Sequence, residues 1–159
     1  MHQSETESVR NVRPRVTVAA IVERDKRFLL IEERDADSEL VINQPAGHVE
    51  GGESVIAAVI RETFEETGWR FRPEALIGIY LWRQPAKGAS FLRIGIAGSV
   101  DDHDPDSPLD DGIVRSLWLT REELLSEKIR LRSPLVMKCI DDYLKGEHYP
   151  LSVLKSLLS

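Results

Sequence analysis

Three glutamates, Glu62, Glu65 and Glu66, stand at the spacing i, i+3, i+4 within the segment ESVIAAVIRETFEETGW (53–69). On a helix that spacing gathers the three carboxylates in one arc of the surface. Like charges so placed repel one another, and the cluster falls at the C-terminal end of the segment, where the helix dipole disfavours anions. A helix that tolerates both costs is expected to have a compensating cation. Mg²⁺ prefers carboxylate oxygens and keeps several waters, so it fits this donor set, with Mn²⁺ as an expected substitute. The loop before the helix can add a backbone carbonyl near Ala46–Gly47. Arg61 can pair with a carboxylate and hold the cluster's orientation. A bare ETFEE is more often a solvated acidic face, so the weight falls on what surrounds it.

The elements that must position these groups can be read from periodicity and breakers. Gly51-Gly52 interrupts the chain, a helix is expected from Ser54 to Thr67, and Gly68 stops it. On a helical wheel Val55, Ile56, Val59, Ile60, Thr63 and Phe64 form the expected core face, with the three glutamates at its edge. Ala58, one turn before Glu62, leaves room beside the carboxylates. Upstream, VTVAAIVER and RFLLIEER predict a hairpin turning at Asp25-Lys26, followed by a short strand over 40–43 and a turn at Pro45–Gly47. Downstream, LIGIYLWR (76–83) and FLRIGIAGSV (91–100) predict strands, DDHDPDSPLDDG an acidic loop, and RSLWL a last strand. Thr120 and Glu123 form a capping-box pattern for a helix REELLSE, and Ser133-Pro134 opens a helix LVMKCIDDYLK that Gly146 closes. The reading is one mixed α/β domain over residues 14–159, preceded by a flexible polar arm over 1–13.

Bulk properties narrow the function. The chain has 159 residues and a net charge of −6, with 42% hydrophobic and 30% charged residues. The acidic balance argues against a nucleic-acid polymer as partner. Divalent cations held by the protein's own carboxylates would reverse that sign locally. No apolar run approaches the roughly 20 residues that span a bilayer. The opening MHQSETESVRNVR lacks the apolar stretch of an export signal, and Cys139 is the only cysteine, so no intrachain disulfide is possible. A reducing cytoplasm is the expected location.

The spacing of Gly47, Glu53, Arg61, Glu62, Thr63, Glu65, Glu66, Gly68 and Trp69 resembles the signature of the Nudix hydrolases: G, five residues, E, seven residues, then RE, an aliphatic, any residue, EE, any residue, G and a bulky apolar residue. Thr63 and Trp69 depart from positions that are usually aliphatic, which affects packing and leaves the ligands intact. The preceding hairpin, NQPAGHVE, FLRIGI and LRSPLVMKCIDDYLKGEHYPL further resemble the NudJ-type phosphatase branch, over nearly all of residues 14–151.

The resemblance implies an α/β/α sandwich around a mixed sheet with a loop–helix–loop metal site. It also implies Mg²⁺-dependent attack of water on phosphorus. For this branch the implied substrates are nucleoside tri- and diphosphates and a thiamin-precursor pyrimidine diphosphate. Glu62, Glu65 and Glu66 are the expected metal ligands, with Gly47 offering a carbonyl. One of the glutamates, or an acidic residue of the 101–111 loop with Asp110 as candidate, is the expected general base. Glu53 is expected to order the loop by pairing with Arg61 or by capping the helix. Arg93 and Arg83 are candidates for binding substrate phosphates, and Gln44 and His48 for contacting substrate or orienting a ligand. Trp82 and Tyr80 could stack on a base or fill the core. Two other functions stay open: a pyrophosphatase for ADP-ribose or a dinucleoside polyphosphate, and a catalytically silent nucleotide-binding sensor. The protein is expected to act as a monomer or homodimer on a small molecule.

Overall fold

The 13-residue helix α1, Val55–Thr67, begins and ends at the residues that its sequence marks. The Ser54 hydroxyl accepts the Ala57 amide, and Gly68 closes the helix in the left-handed conformation (φ 74°), a position glycine adopts without steric cost. The computed structural model describes residues 13–86 and 88–158; the arm expected over 1–13 lies outside the described residues except for Arg13.

Eight strands flank this helix: β1 Arg15–Ile21, β2 Glu23–Arg24, β3 Arg27–Arg34, β4 Leu40–Asn43, β5 Ala46–His48, β6 Arg70–Arg83, β7 Ser90–Asp101 and β8 Ile113–Thr120. One sheet runs β5-β1-β7-β6, with β1 parallel to β7 and the other pairs antiparallel. The second is built on β3, which pairs antiparallel with β2, β4 and β8. Helices α2 (Arg121–Leu124) and α3 (Leu135–Leu144) and a 3₁₀ turn at Leu151–Val153 complete it.

Strand alternation distributes the core to both faces of the first sheet. Val18, Ala20, Ile94 and Ile96 pack with Ala58 and Val59 of α1. Ile21, Ile77 and Ala97 pack with Cys139 and Ile140 of α3. The chain is therefore an α/β/α sandwich around a mixed sheet. Among the described residues, no helix is long and apolar enough to cross a membrane.

Several expectations change in detail. The hairpin turns at Asp25 and Lys26, both at positive φ, but pairs through only Glu23 and Arg24. β1 then departs to the first sheet while β3 enters the second, since each side chain row is buried between different neighbours. Gly47 lies in β5 rather than in a turn, paired with Val18. The helix expected over REELLSE ends at Leu124, and Thr120 caps it through the Glu123 amide.

The largest change is the face of α1. Its buried side chains are Ala58, Val59, Glu62, Thr63, Glu66 and Thr67, and Phe64 is 37% exposed. Two carboxylates occupy the face that hydrophobicity alone assigned to Phe64. Val55, Ile56 and Ile60 remain partly buried against the core. Thr63 fits the interior because its hydroxyl donates to the Val59 carbonyl at 2.7 Å.

Candidate active site

The acidic centre is built from α1, β5 and the loop before β8. Glu66 is 5% exposed, and its Oε1 accepts the Ala46 amide at 2.7 Å. Burial pushes its carboxyl up to about 9, the Ala46 amide pulls the other way, and repulsion from Glu33, Glu62 and Asp110 adds to the rise. Glu62, also buried, is raised first by burial and then by Glu65 and Asp110, against the pull of Arg61. Glu62, Glu65 and Asp110 each bring an oxygen to within 4.8 Å of the others.

Backbone bonds fix Asp110 there. Its amide donates to the Glu65 carbonyl at 3.0 Å, and the Asp104 amide donates to the Gly68 carbonyl at 2.9 Å. These bonds staple the acidic loop to the end of α1, satisfying carbonyls the helix leaves free. A Cβ at position 47 would stand 2.2 Å from the Glu62 carboxyl carbon, so a larger residue there would displace that carboxylate.

Arg61 organises the outer side of the cluster. Its Nε and Nη2 donate to both oxygens of Glu53, at 2.9 and 2.6 Å. Nη1 reaches Glu62 at 2.9 Å and Glu65 at 3.0 Å, and Nη2 also reaches the His48 carbonyl at 3.1 Å. The Glu53 carboxylate raises the Arg61 guanidinium above its ordinary range, and Arg61 in turn lowers Glu53. Glu53 thus ties the loop to the helix through Arg61, while the N-cap is Ser54. One arginine cannot neutralise this many carboxylates. An all-oxygen donor set with excess negative charge, two members buried and held above their usual range, fits a hard divalent cation.

On the opposite side of β5 lies a cleft of about 270 Å³. Ala46, Gly47 and His48 line it, so the strand that touches Glu62 and Glu66 is also the wall of the cleft. Arg93, 5% exposed, reaches the cleft from β7. Its Nη1 donates to Gln44 Oε1 at 2.9 Å and its Nη2 to Asn43 Oδ1 at 3.2 Å. Both acceptors are neutral, and Arg93 Nε has no hydrogen-bond partner among the described residues. Burial lowers this guanidinium from its ordinary range.

The residues singled out by sequence separate into groups. Glu62, Glu65 and Asp110 come together, with Glu66 beneath and Arg61 beside them. Arg93 and His48 line the cleft. Gln44 is 1% exposed, with one end of its amide on Arg93 and the other donating to the Val136 carbonyl at 2.8 Å. It does not line the cleft. Arg83 is exposed and also stands outside it, although its neighbours along the chain, Trp82 and Gln84, line it. Tyr80 donates to Asp142 at 2.9 Å and packs beneath α3, whereas Trp82 stacks on Phe91 at 5.9 Å in the cleft wall.

Sequence reasoning missed Glu33, Asn43, Phe91 and Arg132, all lining the cleft. They come from β3, β4, β7 and the segment before α3, so no spacing along the chain announces them. The one usable signal is the period-2 alternation that places Phe91 on the same face of its strand as Arg93.

A NUDIX domain profile matches residues 13–138. The chain is 38% identical over 142 residues to "Phosphatase NudJ" of Escherichia coli (strain K12), covering 89% of this chain and 91% of that protein. A solved "NUDIX hydrolase from Nitrosomonas europaea" superposes with a TM-score of 0.88 at 47% identity, covering 91% of this chain and 97% of the other. The MutT NUDIX hydrolase from Burkholderia pseudomallei shares the fold, with a TM-score of 0.70 at 24% identity over 82% of this chain and 98% of its own. With the profile running from the start of β1 into α3 and a relative matched along most of both sequences, this chain belongs to the Nudix family of hydrolases.

Proposed function

We propose that this hydrolase removes phosphate from nucleoside di- and triphosphates, or from a related small diphosphate such as the thiamin-precursor pyrimidine diphosphate. Mg²⁺ is its cation, with Mn²⁺ as a working substitute. The observation that carries this reading is the excess of buried, mutually repelling carboxylate at the end of α1, next to a cleft whose buried guanidinium has no anionic partner among the described residues. The similarity to a protein named as a phosphatase supports orthophosphate as the product.

Glu62, Glu65, Glu66 and Asp110, with the Gly47 carbonyl, are the residues that would hold the cation. When bound, it supplies charge neutralisation on the phosphoryl oxygens and lowers the pKa of water. A carboxylate of the Glu62–Glu65–Asp110 group accepts the proton as a water oxygen bonds to phosphorus and the bridging P–O bond breaks, its electrons leaving with the bridging oxygen. Arg61 holds Glu62 and Glu65 in orientation through its fork of hydrogen bonds. Arg93 binds substrate phosphate or the polar part of the substrate, and Gln44 serves as its positioning residue. His48 borders the substrate, and Arg83, on the exposed side of β6, meets only a substrate long enough to leave the cleft. The reaction takes place on a small molecule in the cytoplasm, by a monomer or a homodimer.

A phosphate-release screen with Mg²⁺ tests this, run with and without added inorganic pyrophosphatase. Nucleoside di- and triphosphates, the pyrimidine diphosphate, ADP-ribose and dinucleoside polyphosphates make up the panel. Phosphate without the coupling enzyme is the expected result. Phosphate only with it means that pyrophosphate is the leaving group. Nucleoside monophosphates without either would replace this reading by cleavage of internal linkages.

A further inference from the structure

We infer that Trp69 and His103 form a dock for the loop between β7 and β8, and that they act as positioning residues for Asp110 in the carboxylate centre. This rests on the proposed cation site and names what brings to it the one carboxylate that α1 does not carry.

Asp110 is placed differently from its partners. Glu62, Glu65 and Glu66 belong to one helix, whereas Asp110 lies on the largely exposed loop DDHDPDSPLDDG (101–112). That loop is rich in aspartate, so like charge repels it from the centre that Asp110 joins. Local contacts have to hold it against that repulsion.

The end of α1 supplies them. The His103 ring stacks on Trp69, with centroids 4.4 Å apart and planes 21° from parallel. His103 Nε2 lies 3.2 Å from the Thr67 carbonyl and is the donor there, since a carbonyl only accepts. With the Asp104 and Asp110 amides on the Gly68 and Glu65 carbonyls, the loop satisfies a run of acceptors that the helix leaves free. Gly68 leaves room for this approach, because a Cβ there would stand 2.5 Å from the Asp104 carbonyl oxygen.

Trp69 is itself tied to both strands that flank the loop. The Arg24 guanidinium lies 5.0 Å from the Trp69 ring and 5.2 Å from that of Trp118 on β8, and the two indoles meet edge to face at 6.2 Å. Arg24 Nη2 also donates to the Val100 carbonyl of β7 at 2.8 Å. An aliphatic side chain at position 69 could pack on Trp118 but would offer no flat face to an imidazole. The departure of Trp69 from the usual aliphatic residue thereby gains a use. Asp110 is ordered when the chain folds, and the cation finds it already in place.

The test is Mn²⁺ binding by the full chain without substrate, followed by loss of the free-ion signal in electron paramagnetic resonance. His103→Ala and Trp69→Leu should each raise the dissociation constant about tenfold or more, the range in which groups supporting a metal ligand act. Trp69→Phe, which keeps an aromatic face, should stay closer to the parent. In an Asp110→Asn background, itself weakened, neither variant should add a further loss, because the ligand they position is gone. His103 is exposed, so its removal leaves the core intact and carries the test if Trp69→Leu does not fold. Unchanged affinity in His103→Ala, or the same loss with and without Asp110, overturns the dock and leaves the cation site standing. Parent-like affinity in Asp110→Asn, or no Mn²⁺ binding by the parent chain, removes the proposed cation site through Asp110 and the dock with it.

Discussion

The two sides of β5 are opposite in charge and alike in being incomplete. On the α1 side, Glu62, Glu65, Glu66 and Asp110 gather with Arg61 alone among them, and burial holds Glu66 at about 9. On the α3 side, Arg93 is buried against neutral amides, with one nitrogen unpartnered among the described residues. Arg61 meets carboxylates and is raised from its ordinary range; Arg93 is desolvated and lowered. A buried ionisable group without a counter-charge is expensive to charge, and a fold that keeps one on each side of a three-residue strand is adapted to ligands that bring the missing charges. A divalent cation completes the first side and an anionic, ring-bearing substrate the second. The shared strand would set the distance between them.

Substitutions on the two sides should therefore fail differently. The largest effect is expected from Glu66→Gln, with kcat falling on the order of a hundred- to a thousandfold in steady-state assays. In chelator the same variant should melt no lower than the parent protein, because glutamine, neutral like the protonated carboxyl, keeps the acceptor for the Ala46 amide. A lower melting temperature in chelator would mean that Glu66 is structural. Gly47→Ala drives a Cβ into the Glu62 carboxyl group and should reduce kcat by up to about a hundredfold, as misplacement of reacting groups does. Arg93→Met belongs to the other side. It should raise KM by about ten- to a hundredfold, the loss of charge-assisted hydrogen bonds, with a smaller change in kcat. A kcat defect at constant KM would move Arg93 to the chemical step.

The smallest effect is on stability. In chelated protein the unfolded chain loses the Glu66 proton near its ordinary 4.5, whereas the folded protein keeps it up to about 9. Between those values the folded state binds more protons, so stability falls as pH rises through the window. Thermal unfolding from pH 5 to pH 9 should show that slope in chelator, a shallower one with Mg²⁺, and a reduced one in Glu66→Gln.

The carboxylate side was far more legible in the sequence than the cleft. The cap at Ser54, the stop at Gly68 and the spacing of the glutamates lie within a single helix, where 3.6 residues per turn convert spacing into position. The phase of its buried face was not legible. Hydrophobicity puts Phe64 inward and the carboxylates at the edge of the core face, whereas the contact of α1 with β5 turns Glu62 and Glu66 under the strand. The hairpin forms at the expected turn, but its extent was not legible for a related reason: the turn at Asp25 and Lys26 is local, whereas the sheet each strand joins is decided by partners more than ten residues away. Glu33, Asn43, Phe91 and Arg132 converge only in the folded chain, and the register shift at Glu33 is set against β8, some eighty residues downstream.

The most direct test of the central claim is phosphate release from the preferred diphosphate, measured while Mg²⁺ is titrated back into chelated protein, for the parent chain and for Glu62→Gln and Glu65→Gln. The carboxylate centre predicts no turnover in chelator, saturable recovery with Mg²⁺ or Mn²⁺, and half-saturation shifted to higher metal concentration in both variants. Full turnover in chelator, or variants that recover at the same metal concentration as the parent, would contradict it.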